Sequence, residues 1–169
     1  MDVVIPSVIY GLVFSALSTA IAFGGAAAAR DFGVHDYPPE IQMRYGPKSE
    51  RDRRVTAVVG VLIALLVGIA LTACLLTVRS RTGESLDFVT AFASAEIVLM
   101  TFNLYDLLVL DWLLFNTIRP GIVVLPGTEG MAEYGDRAFH ARGFARGVAI
   151  VSILALLAAG IAVVLESIL

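Results

Sequence analysis

The chain has 169 residues, of which 58% are hydrophobic and only 16% are charged, and its mean hydropathy is +0.85. Soluble domains carry about 25% charged residues, so this composition indicates a single integral membrane domain over residues 1–169. The net charge of −3 is small, and the basic residues are scattered between apolar runs. This distribution argues against a nucleic-acid partner.

Four apolar segments are long enough to cross a membrane, which takes about 20 helical residues. Three of them lack any charge over most of their length, and the third in chain order carries several acidic groups. We predict transmembrane helices over about 3–29, 50–78, 86–115 and 136–166. The start Met1-Asp2 is acidic and the first run is too long for a signal peptide, so we expect a retained first span.

The basic residues are concentrated in two of the three loops. Loop one, residues 30–54, has six of them, loop three, residues 116–146, has four, and loop two has two. Because positively charged loops stay in the cytoplasm, we predict that loops one and three form a cytoplasmic cap and that both termini lie outside. Lys48 and Thr128 should then be cytoplasmic, and Thr82 and Leu169 should be outside.

Loop one carries signals for local structure. Pro39 is suited to the first position of a short helix over 40–45, which Gly46 ends. Ser49 with Asp52 three residues later resembles a capping box at the start of the second long helix.

Loop three contains the β-branched run 122–125 between two Pro-Gly pairs, and we expect it to be extended and to pack under the bundle. Asp136 is the expected N-cap of the last helix.

The third long helix carries a polar stripe formed by Glu96, Asn103, Asp106 and Asp111. At 100° per residue these side chains fall within an arc of roughly 140°. An unpaired carboxylate facing lipid is too unfavourable to persist, so the stripe should face the bundle interior, another subunit or a water-filled cavity. It is the candidate functional site.

Partners for these acids can be inferred from the sequence. Because no lysine or arginine lies within a span, we expect Glu96 to be neutral, bonded to hydroxyl or amide groups, or bound to a cation. For Asp106 and Asp111 we expect a salt bridge to the basic residues at the start of the last helix. The cap residues in question are Arg137, His140, Arg142 and Arg146.

No cofactor is predicted. His35, His140 and Asp111 together could supply a metal site, but their spacing matches no local metal motif. The single cysteine, Cys74, excludes a disulfide within the chain and a thiolate cluster.

Small residues recur every four positions in three of the helices and favour close helix packing. The rows are Gly11, Ser15 and Thr19 in the first helix, Gly60, Ala64, Gly68 and Thr72 in the second, and Gly143, Gly147, Ala155 and Ala159 in the fourth. Because three helices share the feature, we expect packing inside the bundle. Homo-oligomerisation and a membrane-protein partner are compatible with the same pattern.

Three functions fit these observations. The first is an accessory or assembly subunit that binds another membrane protein. The second is a small oligomeric transporter or proton-coupled protein that uses the polar stripe. The third is a membrane-embedded enzyme that acts on lipid or quinone at the cytoplasmic interface, although no catalytic motif is present. The segment 106–130 resembles small bacterial membrane proteins, so we expect a bacterial plasma membrane as the location.

Overall fold

The computed structural model describes residues 1–83 and 85–168, and over these residues the regular structure is helical, without strands. Four helices are long and apolar enough to cross a membrane, which confirms that prediction. They are α1 (Val4–Ala28), α3 (Glu50–Thr82), α4 (Phe88–Tyr105) with its π-helical continuation (Asp106–Ile118), and α5 (Arg137–Ile168). Leu169, which we expect outside, is not among the described residues.

Helix α4 is the centre of the bundle and packs against α1, α3 and α5. Contacts between helix ends define two poles of the molecule. At one pole, here called the terminal end, Ser7 of α1 contacts Cys74 of α3, and Arg79 of α3 pairs with Glu166 of α5. The opposite pole, here called the loop end, holds the two long loops.

Two apolar clusters stabilise the fold. The larger joins α3, α4 and α5, with Cys74, Val78, Val98 and Ala155 fully buried. The smaller lies at the loop end and contains residues of loop one, loop three and the π-helical segment: Val34, Tyr37, Ile41, Phe115, Leu125 and Tyr134. The two loops therefore pack on each other and on the helices as a cap, as predicted.

The short helix α2 (Pro39–Tyr45) has proline at its first position and ends at Gly46, as the sequence predicts. The capping box of α3 is formed only in one half, where the Asp52 N–H donates to Ser49 Oγ at 3.0 Å. The Ser49 N–H donates instead to Asp31 Oδ2 at 2.7 Å. Asp52 cannot supply that bond because its carboxylate is buried beside Lys48 Nζ, at 3.3 Å.

The expectation of an extended run at 122–125 is wrong, because the chain turns there. The Val123 N–H donates to Pro120 O at 2.8 Å, and the Thr128 N–H donates to Leu125 O at 3.1 Å. The flanking Pro-Gly pairs close turns, and the described chain offers no strand with which an extended segment could pair. Asp136 does cap α5, since Phe139 N–H donates to its Oδ1 at 2.9 Å.

Candidate functional site

The polar residues of α4 face α5, and three of them make a contact across that interface. Ser152 Oγ donates to Glu96 Oε1 at 2.9 Å, Asn103 Nδ2 donates to the Phe144 carbonyl oxygen at 3.3 Å, and His140 Nδ1 lies 3.0 Å from Asp111 Oδ1. We call this row of three contacts the α4–α5 seam. Of the three expected surroundings of the stripe, these contacts correspond to the bundle interior for Glu96, Asn103 and Asp111.

Glu96 is bonded to a hydroxyl group, which is one of the expected arrangements for a carboxyl group deep in a span. Its Oε2 atom is buried and has no partner within the described chain. The Ser152 hydroxyl is therefore the one hydrogen-bond partner of this carboxyl group among the described residues.

Asn103 marks the closest approach of α4 to α5. Its side-chain amide occupies the space that a Cβ atom on Gly147 would need, so any larger residue at 147 collides with it. Gly147 is therefore required for packing, as the small-residue pattern of α5 predicts.

Asp111 and His140 form the pair at the loop end of the seam. His140 is only 5% exposed, and its ring packs edge-on against Phe115 and Phe139, with centroids at 4.8 and 5.3 Å. With Nδ1 directed at the carboxylate, the neutral imidazole carries its proton there and Nε2 is left as an acceptor. Nε2 is buried and has no partner in the described part of the chain. Asp111 thus fixes the orientation of the imidazole through Nδ1 and directs the other nitrogen away from the carboxylate.

The expected salt bridges from Asp106 or Asp111 to an arginine are not formed. Within the described residues, no arginine nitrogen lies within 4.0 Å of either carboxylate, and Arg142 pairs at 3.9 Å with Asp136. The reason is helical phase: Arg142 and Arg146 lie about 200° and 240° around α5 from His140, on the side turned away from α4.

Arg137, at the start of α5, lies over the Trp112 ring instead, with Cζ 5.8 Å from the ring centroid. A cation–π contact of this kind needs no carboxylate partner. The cap therefore uses a histidine, and not an arginine, to hold Asp111.

Asp106 lies one turn further into the bundle and is half-buried. Loop one brings Asp36 close enough to interact electrostatically with Asp106, Asp111 and His140.

The second half of α4 is π-helical over Asp106–Ile118, and this segment carries Asp106, Asp111, Trp112 and Asn116. Its wider winding is evident at its end, where Thr117 Oγ1 donates to the Trp112 carbonyl five residues back, at 2.7 Å. π-Helical turns are rare and are found frequently at functional sites. The apolar pattern of the sequence does not distinguish them from α-helix.

Two further buried polar atoms of this segment, Trp112 Nε1 and Asn116 Oδ1, have no partner among the described residues. Asn116 Nδ2 does donate to the Tyr134 carbonyl, at 2.7 Å, and so ties the helix to loop three. The sequence analysis missed Asn116 because it placed the helix end at 115. Buried polar atoms normally have a protein or water partner, so these two atoms are exceptions to the usual pattern.

His35 is half-exposed and lies apart from the seam pair in its contacts, with Nδ1 2.8 Å from Lys48 Nζ and Nε2 3.4 Å from Asp36 Oδ1. Over residues 1–83 and 85–168, no group of three or more His, Cys, Asp or Glu side chains is arranged to hold a metal ion. Cys74 is fully buried between α1 and α3.

The small-residue rows differ in what they face. In α1, a Cβ atom on Gly11 would lie 2.6 Å from Thr101 Cβ, and Ser15 is fully buried, so this row packs inside the bundle. In α5, Ala155 and Ala159 are likewise fully buried.

The row in α3 faces outward, which corrects the expectation of inward packing for this helix. Gly60, Ala64, Gly68 and Thr72 are all exposed, and a Cβ atom on either glycine would meet nothing within 4 Å. We call these four residues the outer row of α3. Three of them, Ala64, Gly68 and Thr72, border a shallow apolar groove of about 540 Å³ that also contains Leu65, Ile69 and Leu76.

No protein family, curated protein or solved structure matches this chain. Functional inference therefore depends on the geometry of the seam and of the outer row.

Proposed function

We propose that the protein is an accessory or assembly subunit of the membrane, which binds a transmembrane helix of another protein through the outer row of α3. The observation that carries the proposal is the outward direction of Gly60, Ala64, Gly68 and Thr72. The comparable rows of α1 and α5 are used within the bundle, whereas this one has no helix against it.

Physical reasons support a helix as the occupant of this face. Lipid provides no hydrophobic drive for helices to associate, so transmembrane contacts depend on close backbone approach over small residues. Large exposed side chains, Val61, Leu65 and Ile69, flank the row and are each at least 60% exposed. They stand along one side of the row, and Thr72 adds a hydroxyl group for an interhelical hydrogen bond.

Photo-crosslinking in cells tests this proposal. A benzophenone amino acid at position 65 should give a discrete protein adduct, whereas one at Ile153, on the exposed face of α5, should not. Gly68→Leu fills the row and should abolish the adduct. Gly160→Leu is the matched control, since Gly160 also has open space around it, and it should leave the adduct unchanged.

The mass of the adduct distinguishes a different protein from a second copy of this chain, because a second copy adds 18.0 kDa. An adduct that forms equally from both faces, or that survives Gly68→Leu, would contradict the proposal.

A second candidate function is proton exchange at the Asp111–His140 pair, in a membrane enzyme or a proton-coupled protein. It is favoured by the buried, unpartnered Nε2 of an imidazole that a carboxylate orients, on a π-helical segment. Asp111 holds the proton on Nδ1, and Nε2 accepts a proton from a bound molecule and returns it.

¹⁵N NMR of histidine-labelled protein tests this second candidate, with His35→Gln used to assign the two imidazoles. His140 should show protonated Nδ1 and unprotonated Nε2, and Asp111→Asn should shift that distribution. A His140 signal that Asp111→Asn does not alter would rule out the dyad.

A continuous polar path through the bundle has less support. Glu96 and Asn103 are each bonded across the seam, and Val98 and Leu99, which lie between them on α4, are buried and apolar. These contacts favour a packing role for Glu96 and Asn103.

A further inference from the structure

Two cavities adjoin each other at the terminal end of the bundle, and both are lined by Leu76 and Arg79. One is an apolar groove of about 500 Å³ between α3 and α5. The other is a smaller pocket of about 360 Å³ with polar walls, formed by Arg79, Ser80, Gly83 and Ser85. The polar pocket therefore opens onto the apolar groove at the level of Arg79.

The apolar groove arises because α3 and α5 both pack on α4 and diverge from each other. Its α3 wall extends from Val67 to Arg79, which corresponds to about 18 Å along the helix axis at 1.5 Å per residue. The hydrocarbon core of one leaflet is about 15 Å deep, half of the roughly 30 Å core. The groove is thus as long as one leaflet is deep, and its volume is within the usual range for ligand sites.

Charge is placed at the mouth of the groove. Arg79 Nε lies 3.0 Å from Glu166 Oε1, and the Arg79 side chain is 45% exposed while Glu166 is 15% exposed. A guanidinium group has five N–H donors in a planar fork, so a carboxylate at Nε leaves donors for a second oxygen ligand. Both residues lie in the last turn of their helices, next to the apolar residues that line the groove.

We propose that this site binds a membrane phospholipid, with its phosphate at Arg79 and Ser80 and one acyl chain in the groove between α3 and α5. A basic pocket between transmembrane helices recognises a lipid headgroup by charge, and the groove adds burial of the chain. The chain lies along Leu71, Leu75, Leu157 and Ile161. This site shares Gly68 and Thr72 with the outer row of α3, so its test uses Arg79 and Ile161, which lie outside that row.

Native mass spectrometry of protein in a maltoside detergent tests the proposal, with phosphatidylglycerol added back after delipidation. Arg79→Gln should weaken lipid retention about tenfold, as expected for loss of charge-assisted hydrogen bonds. Arg81→Gln is the matched control on the same exposed turn and should retain lipid like the parent protein. The double variant Arg79→Gln/Glu166→Gln should lose lipid as well, and it avoids leaving Glu166 without its partner.

The groove is tested separately. Ile161→Trp fills it from an exposed position and should also reduce retention, whereas Ile150→Trp, on an equally exposed part of α5 outside the groove, should not. Diacylglycerol, which has the chains without the phosphate, should bind at least about tenfold more weakly than phosphatidylglycerol. Equal retention by all variants, or equal binding of the two lipids, would show nonspecific boundary lipid and overturn the proposal.

Discussion

Three of the four polar residues of the stripe are tolerated in a membrane-spanning segment because each bonds to a specific neighbour. Asp111 has the imidazole of His140, Glu96 has the Ser152 hydroxyl, and Asn103 has the Phe144 carbonyl. In membranes such interhelical bonds stabilise by about 0.6 kcal/mol on average and up to about 2 kcal/mol, so their main effect is to fix the register of α4 against α5.

Asp111 and His140 should be energetically coupled. Asp111→Ala and His140→Ala each leave a partly buried polar group without its partner, so the double variant should lose less stability than the sum of the two. We expect a coupling energy of about 0.5–3 kcal/mol, measured by thermal unfolding in detergent. Asp111→Ala combined with Arg142→Ala should be additive, because Arg142 pairs with Asp136 instead. Additivity in the His140 cycle would mean that the pair contributes nothing.

Gly147 should be more sensitive to substitution than other glycines of α5. Gly147→Ala forces the new methyl group into the Asn103 amide, and overpacking of this kind typically costs about 1–3 kcal/mol. Gly160→Ala, where no atom lies within 4 Å of the added Cβ, should be neutral or slightly stabilising. Unfolding temperatures of the two variants in the same detergent are the measurement. Equal effects would show that α4 and α5 are not in close contact at Asn103.

Asp31 should make the loop end sensitive to acid. Burial alone raises the pKa of its carboxyl group, but hydrogen bonds from the Ser49 N–H and hydroxyl outweigh this, and with Lys48 they hold the pKa below its ordinary value. A lowered pKa in the folded state means that Asp31 stabilises the protein above its unfolded pKa of about 3.9. That contribution is lost as the pH falls through the folded pKa.

Asp31→Asn should therefore lower the unfolding temperature at pH 7 and flatten its decline between about pH 5 and pH 3. Asp2→Asn, at the exposed N-terminus, is the control and should change neither. An Asp31→Asn protein that retains the parent's acid profile would contradict the assignment.

At the level of elements, the helices could be predicted because long apolar runs have one stable solution in a membrane. The short signals also held where the chemistry is local, as at Pro39, at the Asp52–Ser49 half of the capping box and at Asp136. The π-helical winding of the second half of α4 could not be predicted, since it depends on how α4 packs against its neighbours and not on residue type.

Loop three shows why long-range contacts escape a reading of the sequence. Its β-branched run indicated an extended segment, yet the chain turns and is held by Tyr134, which lies 9 residues beyond Leu125. The Leu125 N–H donates to the Tyr134 hydroxyl at 3.0 Å, and that hydroxyl also contacts Thr128 Oγ1 at 2.7 Å. These bonds depend on a side chain that the local pattern does not single out.

Tyr134→Phe should destabilise loop three without unfolding the bundle. The substitution leaves the Leu125 N–H without an acceptor in a buried position, which costs roughly 1–3 kcal/mol. We expect faster limited proteolysis within 120–131 and a lower unfolding temperature. Tyr45→Phe is the control, because Tyr45 packs on the same cluster and its hydroxyl has no hydrogen bond among the described residues. If Tyr134→Phe is as protease-resistant as Tyr45→Phe, loop three is not held by this hydroxyl.

Over the whole molecule, the buried polar side chains lie inside the bundle, whereas the small-residue row of α3 lies on its outer surface. The seam lies between α4 and α5, whereas α3 presents the outer row and one wall of the lipid groove. The sequence located the polar stripe and the small-residue rows. It could not show which row faces outward, because each row alone is suited both to a contact inside the bundle and to one on its surface. The direction of a row is determined by how α1 and α5 pack on α4.

The basic residues predict how the whole bundle is oriented in the membrane. Ten of the twelve lysines and arginines lie within residues 30–54 and 116–146, in the loops and helix starts of the loop end, and two lie at the terminal end. We therefore expect the loop end to be cytoplasmic. Lys48 and Thr128 are poor labelling sites, because Lys48 is paired and Thr128 is 1% exposed. Single cysteines at Met43 and Glu129, both exposed, should react with a membrane-impermeant maleimide only after lysis, and one at Thr82 should react in intact cells. The Cys74→Ala parent gives the background. Labelling at position 82 only after lysis would reverse the orientation of the molecule.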